Sequence, residues 1–268
     1  MTDNGSFLTA WESRPIAIWQ TRWRVPELLM FERVGSTNDI IKARADQGAE
    51  AGALAIAEFQ TRGRGRRDSQ WRAPSGTGLL MSMLFRPASS SRADLAGTIP
   101  IRVGIAAARA VERVTGIDVA LKWPNDIVAR DGRKLAGILC ESSLSSTGIA
   151  YTVVGIGLNV LQTEQQLHDD ARNRAVSLRL LADAVPDRGA VATALIEALL
   201  ALAPQAARAL SPDELAEYAA RDVLARHEVT ADGTAAGVAS GIGDLGDLRV
   251  RQGRTVRSIH AGTVRRAL

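Results

Sequence analysis

The chain has 268 residues, which is enough for one large domain, or for one large domain and a small one. Its hydrophobic fraction of 46% is typical of a globular protein and excludes a disordered one. The net charge of +4 suits an anionic ligand but falls short of the excess found in dedicated nucleic-acid binders.

Cysteine usage and hydropathy exclude further classes of protein. Cys140 is the single cysteine, so one chain holds neither a disulfide framework nor a cysteine-based zinc site, and a cytoplasmic location is expected. The N-terminus lacks the pattern of a signal peptide, and no apolar run reaches the roughly 20 residues of a membrane span, so no membrane contact is expected.

Most of the chain shows clear periodicity, apart from residues 1–25, which are predicted to be an irregular lead-in. Periodicity, capping residues and turn residues predict the elements in chain order. A helix begins at Ser36, Thr37 or Asn38 and stops at Gly48, strands follow over 52–59 and 76–85, and a second helix covers 95–116, with Pro100 in its first turn and Gly116 at its C-cap. Then come a strand over 119–123, a hairpin that turns at Asp131-Gly132, a strand over 149–160, and helices near 190–209 and 212–221.

From about residue 222, short alternating runs separated by glycines predict a small β-barrel-like domain. Runs of strands with only a few helices favour an α+β fold over regular βαβ winding.

Common catalytic machinery is missing from the sequence. The histidines have no metal-ligand spacing, and neither a G-x-S-x-G elbow nor a Walker A loop is present. Cys140 lies in an apolar run, which indicates a buried structural thiol. The chemistry is therefore expected to depend on lysine, arginine and backbone amides, which stabilise charge on phosphates and acyl oxygens without becoming covalent.

The stretch TRGRGRRDSQW, residues 61–71, carries four arginines between two predicted strands; we call it the arginine loop. Its glycines let the backbone approach a ligand closely, and its guanidiniums can fork onto phosphate oxygens. A solvated loop explains it poorly, because four arginines repel one another without an anion. An RNA-binding Arg-Gly box is a better alternative to a phosphate-binding loop, although such boxes usually lie in long disordered tails.

Four further segments are candidates for binding. GSTN, residues 35–38, could bind a polar group of a neutral ligand, but simple N-capping explains it well in isolation. In LKWPNDIV, residues 121–128, a structural turn accounts for Pro-Asn-Asp but not for the lysine and tryptophan beside it. GRKLAGILCE, residues 132–141, has a glycine inside a strand, which often marks the close approach of a ligand. VVGIGLNV, residues 153–160, is weak evidence for a nucleotide fold.

In this order, the motifs GSTN, Q-x-x-GRGRR-x-x-x-W, KWPND, KLAG and GxGxN resemble those of biotin protein ligases, from about residue 31 to the end of the chain. The resemblance implies an α+β fold, with a mixed-sheet catalytic domain of the biotin/lipoate ligase type over 26–220 and a small SH3-like β-barrel domain over 221–268. It also implies a two-step reaction. The biotin carboxylate attacks the α-phosphate of MgATP to give biotinyl-5'-AMP and pyrophosphate, and a lysine of a biotin carboxyl carrier domain then attacks the mixed anhydride.

The resemblance assigns roles to matched positions. Arg66 and Lys134 are implied as catalytic, and the arginine loop is implied to close over the carboxylate and phosphate. The glycines and mutually repelling arginines of that loop predict that it is disordered when empty. The implied biotin-binding residues are Ser36, Thr37, Asn38, Gln60, Arg64, Gly65, Arg66, Lys134, Gly137 and Gly155. The implied nucleotide-binding residues are Arg66, Lys122, Asn125, Asp126, Lys134 and Asn159. Mg²⁺ would arrive with ATP rather than at a protein metal site. Trp71 is expected to pack the far end of the loop rather than contact substrate.

The arginine loop departs from the family pattern RRGRxW, because Asp68 and Ser69 replace a glycine and a positive charge, and Arg62 replaces a small residue. Its stiffness and closure are expected to differ. A lipoate- or octanoyl-transferring relative is an alternative that shares the fold. Only some thirty residues precede GSTN, so we expect a ligase without an N-terminal winged helix and without DNA binding, either a monomer or a homodimer.

Overall fold

The computed structural model describes residues 5–67, 69–86, 92–146, 148–167, 175–205 and 207–267. Its strands, in chain order, are β1 (Ser6–Phe7), β2 (Ala10–Trp11), β3 (Arg14–Pro15), β4 (Leu28–Val34), β5 (Leu54–Gln60), β6 (Gly78–Phe85), β7 (Val119–Lys122), β8 (Asp126–Ala129), β9 (Lys134–Ser145), β10 (Gly148–Asn159), β11 (Glu228–Ala231), β12 (Thr234–Ile242), β13 (Leu248–Gln252), β14 (Thr255–Ile259) and β15 (Val264–Arg266). Its α-helices are α1 (Ile16–Trp23), α2 (Thr37–Asp46), α3 (Thr98–Thr115), α4 (Glu164–Leu167), α5 (Leu178–Leu181), α6 (Arg188–Leu202) and α7 (Pro212–Arg221).

An eight-stranded mixed sheet forms the main body, in the order β1-β4-β5-β6-β10-β9-β8-β7. The β4–β5 pair is parallel, whereas the other neighbours in this sheet run antiparallel. β9 and β10 form the long central hairpin, which places Gly137 directly opposite Gly157. The predicted mixed-sheet α+β architecture is confirmed.

Helices cover both faces of this sheet. α2 packs on one face, where Ile41 and Ala45 join a buried apolar cluster with Phe31 and Tyr151. α3 and α6 pack against each other on the opposite face and belong to the larger core. Gly116 ends α3 in the left-handed conformation with φ 69°, as its C-cap position predicts. Because both faces are buried, β6 is apolar apart from Ser82 rather than alternating.

The lead-in is not irregular, so the prediction for residues 1–25 is wrong where the structure describes them. β1 pairs with β4, β2 and β3 form a small hairpin, and α1 follows. Trp11, Trp19 and Trp23 are buried together in the main core, with ring centroids 4.9 to 6.1 Å apart. Periodicity could not reveal these tryptophans, because they belong to two short elements, β2 and α1.

The C-terminal strands form a separate antiparallel sheet in the order β14-β13-β12-β11-β15. The expected barrel is wrong in one respect: within the described residues, no ladder joins β14 to β15, so the sheet stays open. Val229, Leu248 and Val250 of this sheet are buried in the same apolar core as the main body. The division into domains at residue 221 stays a prediction.

The other predicted elements between Ser36 and Arg221 are present, and the principal difference is that α6 ends at Leu202 rather than near residue 209. The hairpin prediction is confirmed because Asp131-Gly132, a favoured turn pair, lies in the loop that joins β8 to β9. None of the described helices is long and apolar enough to cross a membrane.

Candidate functional site

One cavity of about 1180 Å³ opens where the N-terminus of α2, the arginine loop, the β7–β8 turn and the central hairpin meet. The end of the β14–β15 loop and the start of β15 complete its wall through Gly262, Thr263, Val264 and Arg265. All fourteen residues that the sequence nominated line this cavity: Ser36, Thr37, Asn38, Gln60, Arg64, Gly65, Arg66, Lys122, Asn125, Asp126, Lys134, Gly137, Gly155 and Asn159. Their roles toward a ligand stay proposals.

The GSTN segment forms a buried polar corner of the cavity. Ser36 takes the N-cap position of α2, yet its side chain makes no capping hydrogen bond, so simple N-capping does not explain the motif. The Oε1 atom of Gln60 accepts hydrogen bonds from the Thr37 amide at 2.7 Å and from the Thr37 hydroxyl at 3.1 Å. Ser82 on β6 lies 2.7 Å from Thr37 Oγ1 and donates to Asn38 Oδ1 at 2.6 Å.

This polar corner is tied to the arginine loop through Glu141. The Asn38 amide donates to Glu141 at 2.6 Å, and Arg64 donates to the same carboxylate at 2.9 and 3.1 Å. Arg64 also pairs with Asp39 at 2.5 Å. Arg64 is thus neutralised by protein carboxylates, and it supplies less net charge to a ligand than the sequence suggests.

Two glycines of β10 leave space that their neighbours occupy. A Cβ atom on Gly157 would lie 2.4 Å from Trp71 Cε2, and one on Gly155 would lie 2.2 Å from Asn38 Oδ1. Gly137, on the neighbouring strand, also faces the Trp71 ring, at 3.2 Å. The indole therefore lies flat over a glycine strip in the middle of the sheet.

Trp71 was expected to pack the far end of the loop rather than contact substrate, and whether it contacts substrate stays a prediction. Its ring lines the cavity, with Lys134 Nζ 5.6 Å from the ring centroid. Its Nε1 atom is buried and has no hydrogen-bond partner in the described structure. A buried, unpaired N–H donor in a cavity wall is a group that a polar ligand or a water satisfies.

Lysines and an arginine concentrate positive charge on the other side of the cavity. Lys134 Nζ pairs with Asp126 Oδ1 at 2.7 Å. Burial lowers the pKa of Lys122, and the neighbouring Lys134 and Arg265 lower it further, against the attraction of Asp126. Burial, helped by Arg67, likewise lowers the pKa of Arg66, although a guanidinium stays charged at neutral pH. A bound anion would relieve this crowding.

The two asparagines of the predicted nucleotide side are held by the protein itself. Asn125 Nδ2 donates to the carbonyl of Ile138 at 2.7 Å. Asn159 is buried, donates to the carbonyl of Val176 at 3.1 Å and accepts from Gln162 at 3.0 Å. Both asparagines therefore shape the cavity wall, which limits the hydrogen bonds that they can offer a ligand.

The arginine loop is folded as a short hairpin. The Gly65 amide donates to the Ser69 carbonyl at 2.7 Å, the Ser69 hydroxyl donates to the Arg66 carbonyl at 2.8 Å, and the Trp71 amide donates to Gly63 at 3.0 Å. Ser69 thus stiffens the turn. Asp68, the other departure from the family pattern, lies outside the described residues. The expected disorder of the empty loop stays a prediction.

Several cavity features were missed by sequence reasoning. Ser82 of β6 and Glu141 of β9 bind the GSTN segment from behind the lining, although Glu141 itself ends the GRKLAGILCE segment, and residues 262–265 close the cavity from the C-terminal sheet. Trp123 of the KWPND motif is buried, and its Nε1 atom donates to the Gly246 carbonyl of the C-terminal sheet at 2.8 Å. The polar residue at position 82 inside an apolar strand was the one available signal.

Within the described residues, no group of three or more His, Cys, Asp and Glu side chains is placed to hold a metal ion. Of the described residues that line the cavity, Asp126 alone carries a carboxylate. Mg²⁺ commonly binds through one or two carboxylates, retained waters and substrate phosphates, so this lining fits a metal that arrives with a nucleotide. Cys140 lies outside the lining, and burial raises the pKa of its thiol to about 12, which excludes it as a nucleophile at neutral pH.

Comparison with known proteins agrees with this geometry. The model of the biotin/lipoate A/B protein ligase family matches residues 30–159. The biotin–[acetyl-CoA-carboxylase] ligase of Mycobacterium tuberculosis is 34% identical over 250 residues, which cover 90% of this chain and 89% of that protein. The bifunctional ligase/repressor BirA of Bacillus subtilis is 31% identical over 164 residues, or 61% of this chain and 50% of that protein.

Among solved structures, the biotin protein ligase of Aquifex aeolicus in complex with biotin and ATP superposes with a TM-score of 0.72. It is 25% identical, and the match covers 90% of this chain and all of that one. Fold, cavity and sequence therefore agree that the chain belongs to the biotin/lipoate A/B protein ligase family and is one of its biotin protein ligases.

Proposed function

We propose that this enzyme activates biotin with ATP as biotinyl-5'-AMP, releasing pyrophosphate, and transfers the biotinyl group to a lysine of the biotin carboxyl carrier domain of acetyl-CoA carboxylase or a related carboxylase. The observation that carries the proposal is the division of one cavity into a neutral polar corner and a cationic side. Biotin has a neutral ureido ring at one end and a carboxylate at the other, and the carboxylate must meet a phosphate.

In the binding step, the ureido ring would occupy the corner formed by Ser36, Thr37, Asn38 and Gln60. These side chains carry both donors and acceptors, which a cyclic urea needs. The Trp71 ring, seated on the glycine strip, forms one wall of an apolar slot for the rest of the molecule. The glycines keep that slot open because a side chain at Gly157 would push the ring into it.

In the adenylation step, the biotin carboxylate attacks the α-phosphorus and pyrophosphate leaves. Charge accumulates on the α-phosphate oxygens as the new bond forms. Lys134, beside Asp126 and Trp71, is placed to neutralise that charge, and Arg66 faces the same cavity. Mg²⁺ would shield the phosphates when ATP binds. The residues that would face it are Asp126 and Asn125.

In the transfer step, the acceptor lysine attacks the acyl carbon of the mixed anhydride and AMP leaves. The chain needs no nucleophile of its own, since the activated intermediate is held noncovalently. This fits a cavity lined by lysine, arginine and amides, with its nearby thiol protonated. Lys122, whose pKa is lowered by burial, adds a second amine to the lining of the same cavity.

The test is biotin-dependent release of pyrophosphate from ATP, followed by transfer of biotin to a purified carrier domain. The absence of biotin-dependent release would exclude the proposal. The same assay with lipoate or octanoate in place of biotin decides between this function and that of a lipoate-transferring relative, which would release pyrophosphate with those acids instead.

The site assignment gives a sharper prediction. Arg66→Ala and Lys134→Ala should each slow adenylation by about two to three orders of magnitude, because each removes a charge that stabilises the transition state. Rapid-quench measurement of biotinyl-5'-AMP formation checks this. Lys42→Ala, on the side of α2 that is exposed, is the control and should adenylate at the normal rate. A normal rate in either site variant would remove that residue from the machinery.

We further propose that the first described residues serve the catalytic unit rather than DNA. Trp11, Trp19 and Trp23 are buried in the main core, and the lead-in therefore supports the sheet that carries Gln60. A mobility-shift assay with operator-length DNA should detect no specific binding.

A single free cysteine and the use of ATP favour the cytoplasm as the location. Sedimentation distinguishes the monomer from the homodimer.

A further inference from the structure

The arginine loop contacts the C-terminal sheet as well as the catalytic sheet. Arg67 forms a two-pronged ion pair with Asp232, in which Nη2 lies 3.1 Å from Oδ2 and Nη1 donates to Oδ1. The adjacent Arg66 donates from Nη1 to the Gly262 carbonyl at 3.4 Å. Two consecutive loop arginines therefore contact residues that lie 165 and 196 positions away in the chain.

Asp232 is itself held firmly. It lies with Gly233 in the turn that joins β11 to β12, and both residues have positive φ, 51° and 83°, as a two-residue hairpin turn requires. Its backbone amide donates to the Thr263 carbonyl at 2.9 Å, and its carboxylate accepts from the Thr263 amide at 2.8 Å. The carboxylate that receives Arg67 is thus fixed to the segment that lines the cavity.

The backbone conformation of Arg67 affects the direction in which the neighbouring Arg66 side chain points. Arg67 has φ 52°, a left-handed conformation that is uncommon for a residue other than glycine, so surrounding contacts must hold it. The Ser69 hydroxyl and amide both donate to the Arg66 carbonyl and close the turn from one side, and Asp232 restrains it from the other. The side chain of Arg66 is left facing the cavity.

We infer that Asp232 is a positioning residue for adenylation: through Arg67, the C-terminal sheet sets the arginine loop so that Arg66 faces the reacting phosphate. This role rests on the proposed function, since it names what the contact serves in that reaction. The alternative is an ordinary surface ion pair. Both side chains are about half exposed, so the pair adds little to the global stability of the protein. A positioning role therefore predicts a change in the mobility of the loop rather than in Tm.

The first experiment uses the free enzyme and does not depend on activity. Trypsin cleaves after Arg66 and Arg67, and mass spectrometry identifies those cuts. Asp232→Asn keeps both sites and should speed cleavage there about two- to fivefold, the range that an exposed ion pair supports, with an unchanged Tm. Asp118→Asn is the matched control, because it breaks an exposed pair with Arg130 away from the cavity. Equal cleavage of Asp232→Asn and the unmodified enzyme would overturn the inference.

The second experiment measures the rate at which preformed biotinyl-5'-AMP leaves the enzyme. Asp232→Asn and Arg67→Gln should each speed release about two- to fivefold, and the double variant should be no faster than either, because both remove one interaction. Additive effects would contradict the coupling. If the unmodified enzyme forms no biotinyl-5'-AMP, the proposed function fails, whereas the trypsin comparison still decides whether Asp232 holds the loop.

Discussion

Gly157 and Gly155 show how single residues determine the shape of the cavity. Each lies in the middle of β10, where glycine weakens a strand, and each is placed under a side chain that lines the site. The glycines were read from the sequence as a weak nucleotide-binding signal. Their reason is steric instead, since they make room for Trp71 and Asn38.

Gly157→Ala should raise the KM for biotin by about ten- to hundredfold, because the new methyl group pushes the Trp71 ring into the slot. Gly137→Ala is the comparison variant. It faces the same ring from the next strand but with more room, at 3.2 Å rather than 2.4 Å, and should change KM much less. Steady-state pyrophosphate release measures both, and an unchanged KM in Gly157→Ala would contradict the steric account.

At the scale of elements, α7 shows how a helix is secured to the body beneath it. Ser211 and Glu214 form a complete capping box at its N-terminus. The same glutamate binds Arg102 of α3, which is almost completely buried, with a shortest contact of 2.7 Å. Arg102 also donates to the carbonyls of Arg208 and Ala209 at 2.6 Å each, so a single cation joins α3 to the segment before α7.

Glu214→Gln should lower the free energy of unfolding by about 3 kcal/mol at pH 7, because it leaves a buried cation without its counter-ion. Although burial opposes the shift, Arg102 and the Ser211 amide lower the pKa of Glu214 from 4.5 to about 2. The folded-state pKa lies below the unfolded value, so this stabilisation is present above about pH 4.5 and is lost as the pH falls toward 2.

Urea titrations at pH 7 and pH 3 check this prediction: the difference between the variant and the unmodified protein should shrink at the lower pH. Glu217→Gln is the matched control, since it lies on the same helix and pairs with Arg109, which is largely exposed. It should cost less than about 1 kcal/mol. A pH-independent difference for Glu214→Gln would show that packing rather than charge is responsible.

At the scale of the whole molecule, segments far apart in sequence complete the catalytic unit. Trp11 donates from Nε1 to Glu58 at 2.5 Å, and Arg188 of α6 binds the same glutamate at 2.8 Å. Glu58 lies on β5 two residues before Gln60, on the same side of the strand. The lead-in therefore supports the strand that presents Gln60 to the cavity.

Trp19→Ala should destabilise the protein by about 3–5 kcal/mol, because it empties the centre of the tryptophan cluster. Ile18→Ala, on the exposed side of the same helix, is the control and should change stability by less than about 1 kcal/mol. Thermal unfolding followed by circular dichroism measures both. Equal Tm values for Trp19→Ala and the unmodified protein would mean that the lead-in is dispensable to the core.

The residues that meet at the cavity could be nominated from the amino-acid sequence. GSTN, the arginine loop, KWPND, KLAG and GxGxN are short local motifs, and periodicity and turn residues assign each of them to its element, because turns and caps depend on neighbouring residues. The mixed α+β class followed for the same reason. That the motifs form one site was implied by the resemblance of the ordered set to biotin protein ligases.

The side chains that those residues contact depend on the tertiary fold. Three such contacts join distant segments of the chain. Arg64 pairs with Asp39 and Glu141, the Trp71 ring lies beside Lys134, and Arg67 pairs with Asp232. The buried lead-in and the open C-terminal sheet belong to the same group. Such contacts leave no local pattern, because each partner needs only to be polar or apolar, and the fold alone brings the two together.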